Sequence, residues 1–337
     1  MLEVKLPWKL RLTLASGKWI MNLSRRADDT INRRIQKLSD PKTSPSEKPR
    51  NGVVTSDTVF DSSRNLWFRC FTPAANTADG GSLPIVVYFH GGGFAIYSPD
   101  ALCYDSWCRR IAGELNVVIV SVSYRLAPEH RCPTQYEDCF DGLKYLDENL
   151  DKLPAHVNPK LCFLAGDSAG GNLAHHVAVE ASEYEFLQLK IIGLISIQPF
   201  FGGEERTESE IRNTGSLFLS VQDTDWYWKM FLPKGSDRDH PAANVFGPKS
   251  TVDISRFKYP STLILVGGLD LLLDWQRKYY DGLKSAGKEV DLVEDPDAFH
   301  GYHMFEELPG SSFSIKQIRD FIEKQVNKEK NNNNNNK

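Results

Sequence analysis

"LCFLAGDSAGGNLAHH", residues 161–176, passes from an apolar run through glycines and a serine into helix-forming residues. Leu161 to Ala165 has the length and composition of a buried strand, and Ala169 onward carries helix formers at helical spacing. Between them Gly166-Asp167-Ser168-Ala169-Gly170 matches G-x-S-x-G. That pattern marks a strand-to-helix turn that holds its serine in a strained conformation, with flanking glycines leaving room for neighbouring backbone. The helix behind such a turn directs free N–H groups and its positive end toward an oxyanion. A plain tight turn would use the same five residues, so the serine needs partners elsewhere in the chain.

Working outward, strand-like runs lie at Val53 to Phe60, Leu66 to Phe71, Pro84 to Phe89, Val117 to Ser123, Leu161 to Ala165, Ile191 to Ile197, Thr262 to Val266 and Val290 to Glu294. The first two are close enough to pair as a hairpin. The others are separated by segments long enough for crossover helices, which predicts an α/β fold with a mostly parallel eight-stranded sheet and helices on both faces. Residues 203–250, rich in charge, aromatics and turns, break the alternation and read as a cap-like insertion over the carboxyl edge of the sheet. Residues 1–50 combine a dense apolar set (Trp8, Leu10, Leu12, Leu14, Trp19, Ile20, Met21, Leu23) with a basic stretch and a Pro/Ser/Lys linker. They read as a helical lid and linker ahead of a body at 51–327, and the Asn-rich 328–337 reads as a disordered tail.

Ligands of an open parallel sheet bind beyond the carboxyl ends of its strands. After the third strand stands His90-Gly91-Gly92-Gly93, where absent side chains let backbone N–H groups approach an oxygen that becomes negative. Lipases and esterases build an oxyanion hole from this motif and from the residue after the nucleophile, here Gly92, Gly93 and Ala169, with Gly91 a further candidate. A phosphate loop would need the Lys and Ser/Thr of the Walker pattern, which are absent. A serine also needs a base, and the base an orienting acid. The eighth strand leads into His300 and His303, and the seventh into Asp270 and Asp274. His300 precedes a glycine after a short loop and is preferred to His303. Asp270 leaves its strand directly through two glycines and is preferred to Asp274. The order Ser, Asp, His follows.

Composition narrows the classes. Of 337 residues, 41% are hydrophobic and 25% charged, ordinary for a globular protein, and the net charge of −4 supplies no footprint for nucleic acid. Six cysteines show no zinc spacing and read as reduced thiols, no metal is expected, and no apolar run approaches a membrane span. Lys5, Lys9, Arg11 and Lys18 interrupt the N-terminal apolar residues, which argues against a signal peptide. A soluble cytoplasmic protein is expected, nuclear access remaining open.

With these residues in place the chain resembles the α/β-hydrolase fold, and within it the plant carboxylesterases of the hormone-sensitive-lipase class. The resemblance spans nearly everything from Arg25 to Phe305 and is carried by "HGGGF", "SYRLAPEH", "GDSAGGNLAHHVA" and "GGLDLLLDWQ". It implies hydrolysis of carboxylic esters of small molecules, without metal or cofactor, through an acyl-enzyme on Ser168. His300 would move the proton, Asp270 would hold the imidazole, and the glycine loop with Ala169 would bind the oxyanion. "RRADDTINRR", "DTDWYWKMFLPKGSDRDHPAANVFGP" and "DLLLDWQRKYYDGLKSAGKEVDLVE" are similar to the gibberellin receptors. Those receptors share the fold, bind a hormone without turnover, and close an N-terminal lid that presents a surface to a protein partner. They carry H-G-G-S at the glycine loop and lack the histidine found here at 300. An esterase is therefore expected, with receptor-like hormone binding as the alternative. Phe94, Ile96, Tyr97 and Tyr302 are expected to line an enclosed cleft suited to small or medium esters.

Overall fold

Each Val-, Ile- and Phe-rich run becomes a strand: β1 (Val53–Asp61), β2 (Leu66–Pro73), β3 (Leu83–Phe89), β4 (Val118–Val122), β5 (Val157–Asp167), β6 (Ile191–Ile197), β7 (Thr262–Gly267) and β8 (Val290–Asp295). In this computed structural model, which describes residues 6–74, 82–213 and 218–335, they form one eight-stranded sheet in the order β1-β2-β4-β3-β5-β6-β7-β8. β1 and β2 pair antiparallel, as do β2 and β4, and every later neighbour is parallel. The chain runs from β3 outward to β4 and then crosses back to β5. The order reverses there, and the crevice for a ligand opens at that switch point.

Alternate residues of each strand feed two layers. On one face Val86, Ile119, Phe163 and Leu265 pack with Trp107 and Ile111 of α3 (Leu102–Leu115) and Ile315, Ile318 and Phe321 of α9 (Pro309–Asn335). On the other, Val87, Val120 and Leu164 meet Leu143 and Leu146 of α4 (Thr134–Glu148) and Leu173 and Val177 of α5 (Ala169–Ala181). Near the β7 edge, Ile264 and Val266 meet Tyr279 and Leu283 of α8 (Leu273–Ser285). Burial on both faces explains why the central strands are continuously apolar.

The disordered tail expected from residue 328 is corrected: α9 continues to Asn335. Its apolar stripe seats it on the sheet, and Glu329, buried, accepts from Lys190 Nζ at 2.6 and 2.7 Å. Once a helix is nucleated, adding residues is easy, so the asparagines continue it. The last two tail residues, 336 and 337, lie outside the described residues, as do 1–5 of the arm and 214–217 of the insertion.

The N-terminal arm contains α1 (Trp8–Ser24) and a short α2 (Arg33–Gln36), and the 203–250 segment contains α6 (Glu208–Arg212) and α7 (Val221–Phe231). Trp228 and Phe231 of α7 pack on Phe94, which follows the glycine loop, so this segment covers the carboxyl edge. The arm lies on α7. Arg25 donates to Asp223 at 2.6 Å and stacks over Trp226 at 4.5 Å, Lys18 is 3.5 Å from Asp223, and Asp29 pairs with Lys229 at 2.7 Å. Arg33 reaches deeper, donating to Glu129 and to the carbonyls of Ala95 and Ala127. Apolar contacts add to these: Leu10 and Ile31 are buried and Met21 packs on the core, while Trp8, Leu12, Trp19 and Leu23 face solvent.

Arg25→Ala removes this anchor while Asp223 keeps its Ser220 partner. A hydrogen bond to a charged group contributes about 1.5–3 kcal/mol. Chymotrypsin should therefore cut within the arm about tenfold faster than in wild type, with the melting temperature of the body little changed. An unchanged cleavage rate would show that the arm is held by other contacts.

Candidate active site

β5 ends at Asp167, α5 begins at Ala169, and Ser168 between them has φ +51° and ψ −120°. This left-handed strain in a non-glycine residue is tolerated where the surroundings over-determine it. Here the surroundings are backbone. Ser168 N–H donates to the Ile197 carbonyl at 2.9 Å, and its carbonyl accepts from Phe200 N–H at 2.8 Å. A Cβ on Gly170 would lie 1.9 Å from the Phe89 carbonyl oxygen at the end of β3, and one on Gly166 would lie 2.2 Å from the Gly170 oxygen. Both motif glycines are therefore steric requirements of packing the elbow against β3.

The elbow carries Ser168 Oγ to 2.9 Å from His300 Nε2, and His300 Nδ1 lies 2.8 Å from Asp270 Oδ2. A carboxylate only accepts, so Nδ1 carries the imidazole proton and Nε2 is left to accept from the serine hydroxyl. Asp270 is fully buried. Its other oxygen accepts from Leu272 N–H at 2.9 Å, and Oδ2 also accepts from Gln276 Nε2 at 2.9 Å. Of the paired alternatives, Asp274 instead accepts from Ser209 N–H at 2.7 Å, tying α6 to α8. His303 is buried edge-on against Trp107 with a ring separation of 4.9 Å. Burial pushes its pKa down to about 3.

Behind the serine, Asp167 accepts from Tyr88 hydroxyl at 2.8 Å, Tyr104 hydroxyl at 2.9 Å and Gly91 N–H at 3.1 Å. Burial raises its pKa to about 6 against those hydrogen bonds and the field of His300. This contact corrects the expectation for Gly91, whose N–H is spent on Asp167 and cannot point at an oxyanion. The N–H groups of Gly92, Gly93 and Ala169 carry no bond to any described residue. The glycine loop is braced by the SYRLAPEH segment: Tyr124 stacks on His90 at 4.2 Å and donates to its carbonyl at 2.8 Å, and Ala127 N–H donates to the Phe94 carbonyl at 2.9 Å.

The expected lining residues divide. Phe94 is fully buried, stacked on Phe231 at 3.7 Å, and belongs to the core. Tyr302 is turned away, its hydroxyl 2.7 Å from Ser314 in α9. Ile96 and Tyr97 stay beside the loop, both within 3 Å of where a Gly92 Cβ would stand. Two further aromatics stand beside the loop and the imidazole: Tyr227, whose ring would lie 2.3 Å from a Gly93 Cβ, and Phe218, 6.2 Å from His300 between ring centroids. Both fall in the segment expected to cap the site. Among the described residues no cluster of His, Cys, Asp and Glu could hold a metal ion, and no helix is long and apolar enough to cross a membrane.

A family model described as the alpha/beta hydrolase fold matches residues 86–304, and the chain belongs to that family. Within it the chain stands with the plant carboxylesterases and gibberellin receptors. It is 41% identical to gibberellin receptor GID1C of Arabidopsis thaliana over 309 residues, 88% of this chain and 89% of the receptor. It is 36% identical to carboxylesterase 20 of the same plant over 281 residues, 80% of this chain and 85% of the relative. Among solved structures, a hyperthermophilic esterase from the archaeon Pyrobaculum calidifontis superposes with TM-score 0.70 at 26% identity, covering 97% of this chain and 94% of the other.

Gly170→Ala should destabilise the fold by about 3 kcal/mol or more, since neither the Phe89 carbonyl nor the helix can retreat; an unchanged denaturant midpoint would contradict this. Acid should also weaken the fold. Burial holds His90 and His303 at about 3 and His175 well below the usual 6.5, so unfolding lets each take up a proton as pH falls below 6.5. Each costs about 1.4 kcal/mol per pH unit. Asp167 acts oppositely. Its raised folded value of about 6 makes its contribution largest at low pH and lost as pH rises through 6, so it offsets one histidine between about 6 and 4. The melting temperature at pH 5 should therefore fall below that at pH 7.5 by roughly 5 °C or more. A flat profile would show that these histidines are not held neutral.

Proposed function

We propose that this chain is a carboxylesterase that hydrolyses small to medium carboxylic esters through an acyl-enzyme on Ser168. The observation that carries the proposal is the hydrogen-bonded series Ser168–His300–Asp270, with a single allowed tautomer at its centre. In this mechanism His300 Nε2 takes the hydroxyl proton as Oγ attacks the ester carbonyl. Asp270 holds the imidazole and stabilises the imidazolium, and the N–H groups of Gly92, Gly93 and Ala169 receive the oxyanion. Collapse expels the alcohol, which takes the proton from His300. Water then attacks the acyl-enzyme with His300 again as base, releasing the acid and restoring Ser168. The rings of Tyr227 beside Gly93 and Phe218 beside His300 crowd the space next to the reacting groups, which supports short acyl chains.

A second reading is favoured by one pair of observations: similarity to gibberellin receptors, and a row of exposed apolar residues on α1. In it the site binds a hormone without turnover, and the arm meets a protein partner. Hydrolysis separates the two. Wild type should turn over 4-nitrophenyl acetate and butyrate and favour butyrate over palmitate, while Ser168→Ala and His300→Ala lose about 10⁴-fold or more in kcat. A folded wild type no faster than these variants, but binding a gibberellin in titration calorimetry, would establish the second reading.

A further inference from the structure

The last residue of β6 and the three that follow it, Ile197-Gln198-Pro199-Phe200, touch both ends of the Ser168–His300 pair. Their backbone fixes Ser168 from both sides, through the Ile197 carbonyl at 2.9 Å and Phe200 N–H at 2.8 Å. Gln198 does the corresponding work on the other strand connection. Its Nε2 donates to the Phe299 carbonyl at 3.0 Å and its Oε1 accepts from Gly301 N–H at 2.7 Å. These are the residues immediately before and after His300, so one side-chain amide clips the backbone on both flanks of the imidazole.

Three further features fit a built contact. Gln198 is almost fully buried, where an unpaired amide is costly and a doubly paired one is rigid. It has φ +44°, a strained conformation for a residue with a side chain, and its own N–H is tied to the Leu265 carbonyl at 2.7 Å. β7 makes room for it: a Cβ on Gly267 would lie 2.7 Å from Gln198 Nε2. No side-chain atom of Gln198 has a bond to Ser168, His300 or Asp270 themselves.

We infer that Gln198 is a positioning residue of the catalytic site: its amide, acting through the Phe299 carbonyl and Gly301 N–H, sets the distance from His300 to Ser168 and Asp270. The inference rests on the esterase proposal for its kinetic consequence, and on geometry alone for its structural one. A reacting group displaced by about 1 Å can lose about 10²-fold in rate. Removal of the clip acts on kcat and leaves KM nearly unchanged, because Gln198 is buried and both ends of its amide are bonded to backbone, out of reach of the ester.

The test compares wild type, Gln198→Leu and Gln198→Glu with 4-nitrophenyl butyrate. It also records thermal unfolding and the low-field proton resonance of the His300 Nδ1–H···Asp270 hydrogen bond. Gln198→Leu should lose roughly 10- to 100-fold in kcat, with KM within about twofold, and its low-field resonance should broaden or vanish while unfolding stays cooperative. Gln198→Glu keeps the acceptor for Gly301 and should fall between the two; it also decides the matter if the leucine variant does not fold. A folded Gln198→Leu with wild-type kcat and an unchanged resonance overturns the inference, as does a loss confined to KM. If wild type hydrolyses no ester, the esterase proposal fails by itself. The resonance then decides whether Gln198 positions His300.

Discussion

The whole site is referred to one close approach, the carbonyl end of β3 against the first turn of α5. Only a glycine at 170 admits the Phe89 oxygen there. That approach forces the sharp turn at Ser168, places the glycine loop beside it, and brings Asp167 against Gly91 N–H. Because β3 and β5 flank the point where the strand order reverses, this crowded backbone lies where open parallel sheets bind their ligands. Packing and chemistry therefore share the same atoms.

Around that contact the site is assembled from parts that are each held twice. Ser168 is fixed by backbone on both sides. Asp270 has both oxygens occupied by donors, and the glycine loop is tied to β5 by Asp167 and to the segment after β4 by Tyr124. Buried donors and acceptors without partners are costly, so this arrangement makes orientation a by-product of satisfying polar groups.

The central strands were legible because burial on both faces makes them continuous runs of branched and aromatic residues, and the edge strands β1 and β8 because the same residue types recur in them between turn signals. That Ser168, Asp270 and His300 come together was legible because each follows the carboxyl end of a strand of one parallel sheet. Phe94 and Tyr302 were misplaced for a general reason: aromatic residues beside a site look alike whether they line it or support it, and only the packing of Phe231 or Ser314 decides. Gly91 was misassigned because the direction of a single N–H depends on a carboxylate brought from another strand. Gln198 and Gln276 gave no signal, since a buried amide has no chemistry of its own until its partners are known. The helical asparagine run reflects the helix ahead of it rather than its own composition.

The arm is held on the body by two kinds of ion pair, a half-buried one in which Arg25 meets Asp223 and an exposed one in which Asp29 meets Lys229, while four large apolar side chains face outward. Salt screens attractions between exposed charges and acts much less on pairs that protein shields from solvent. A rise in ionic strength thus weakens the exposed Asp29–Lys229 pair far more than the pairing of Arg25 with Asp223. The two contacts therefore answer differently to the surrounding solution: the outer pair loosens first, and the inner one, shielded by protein, holds.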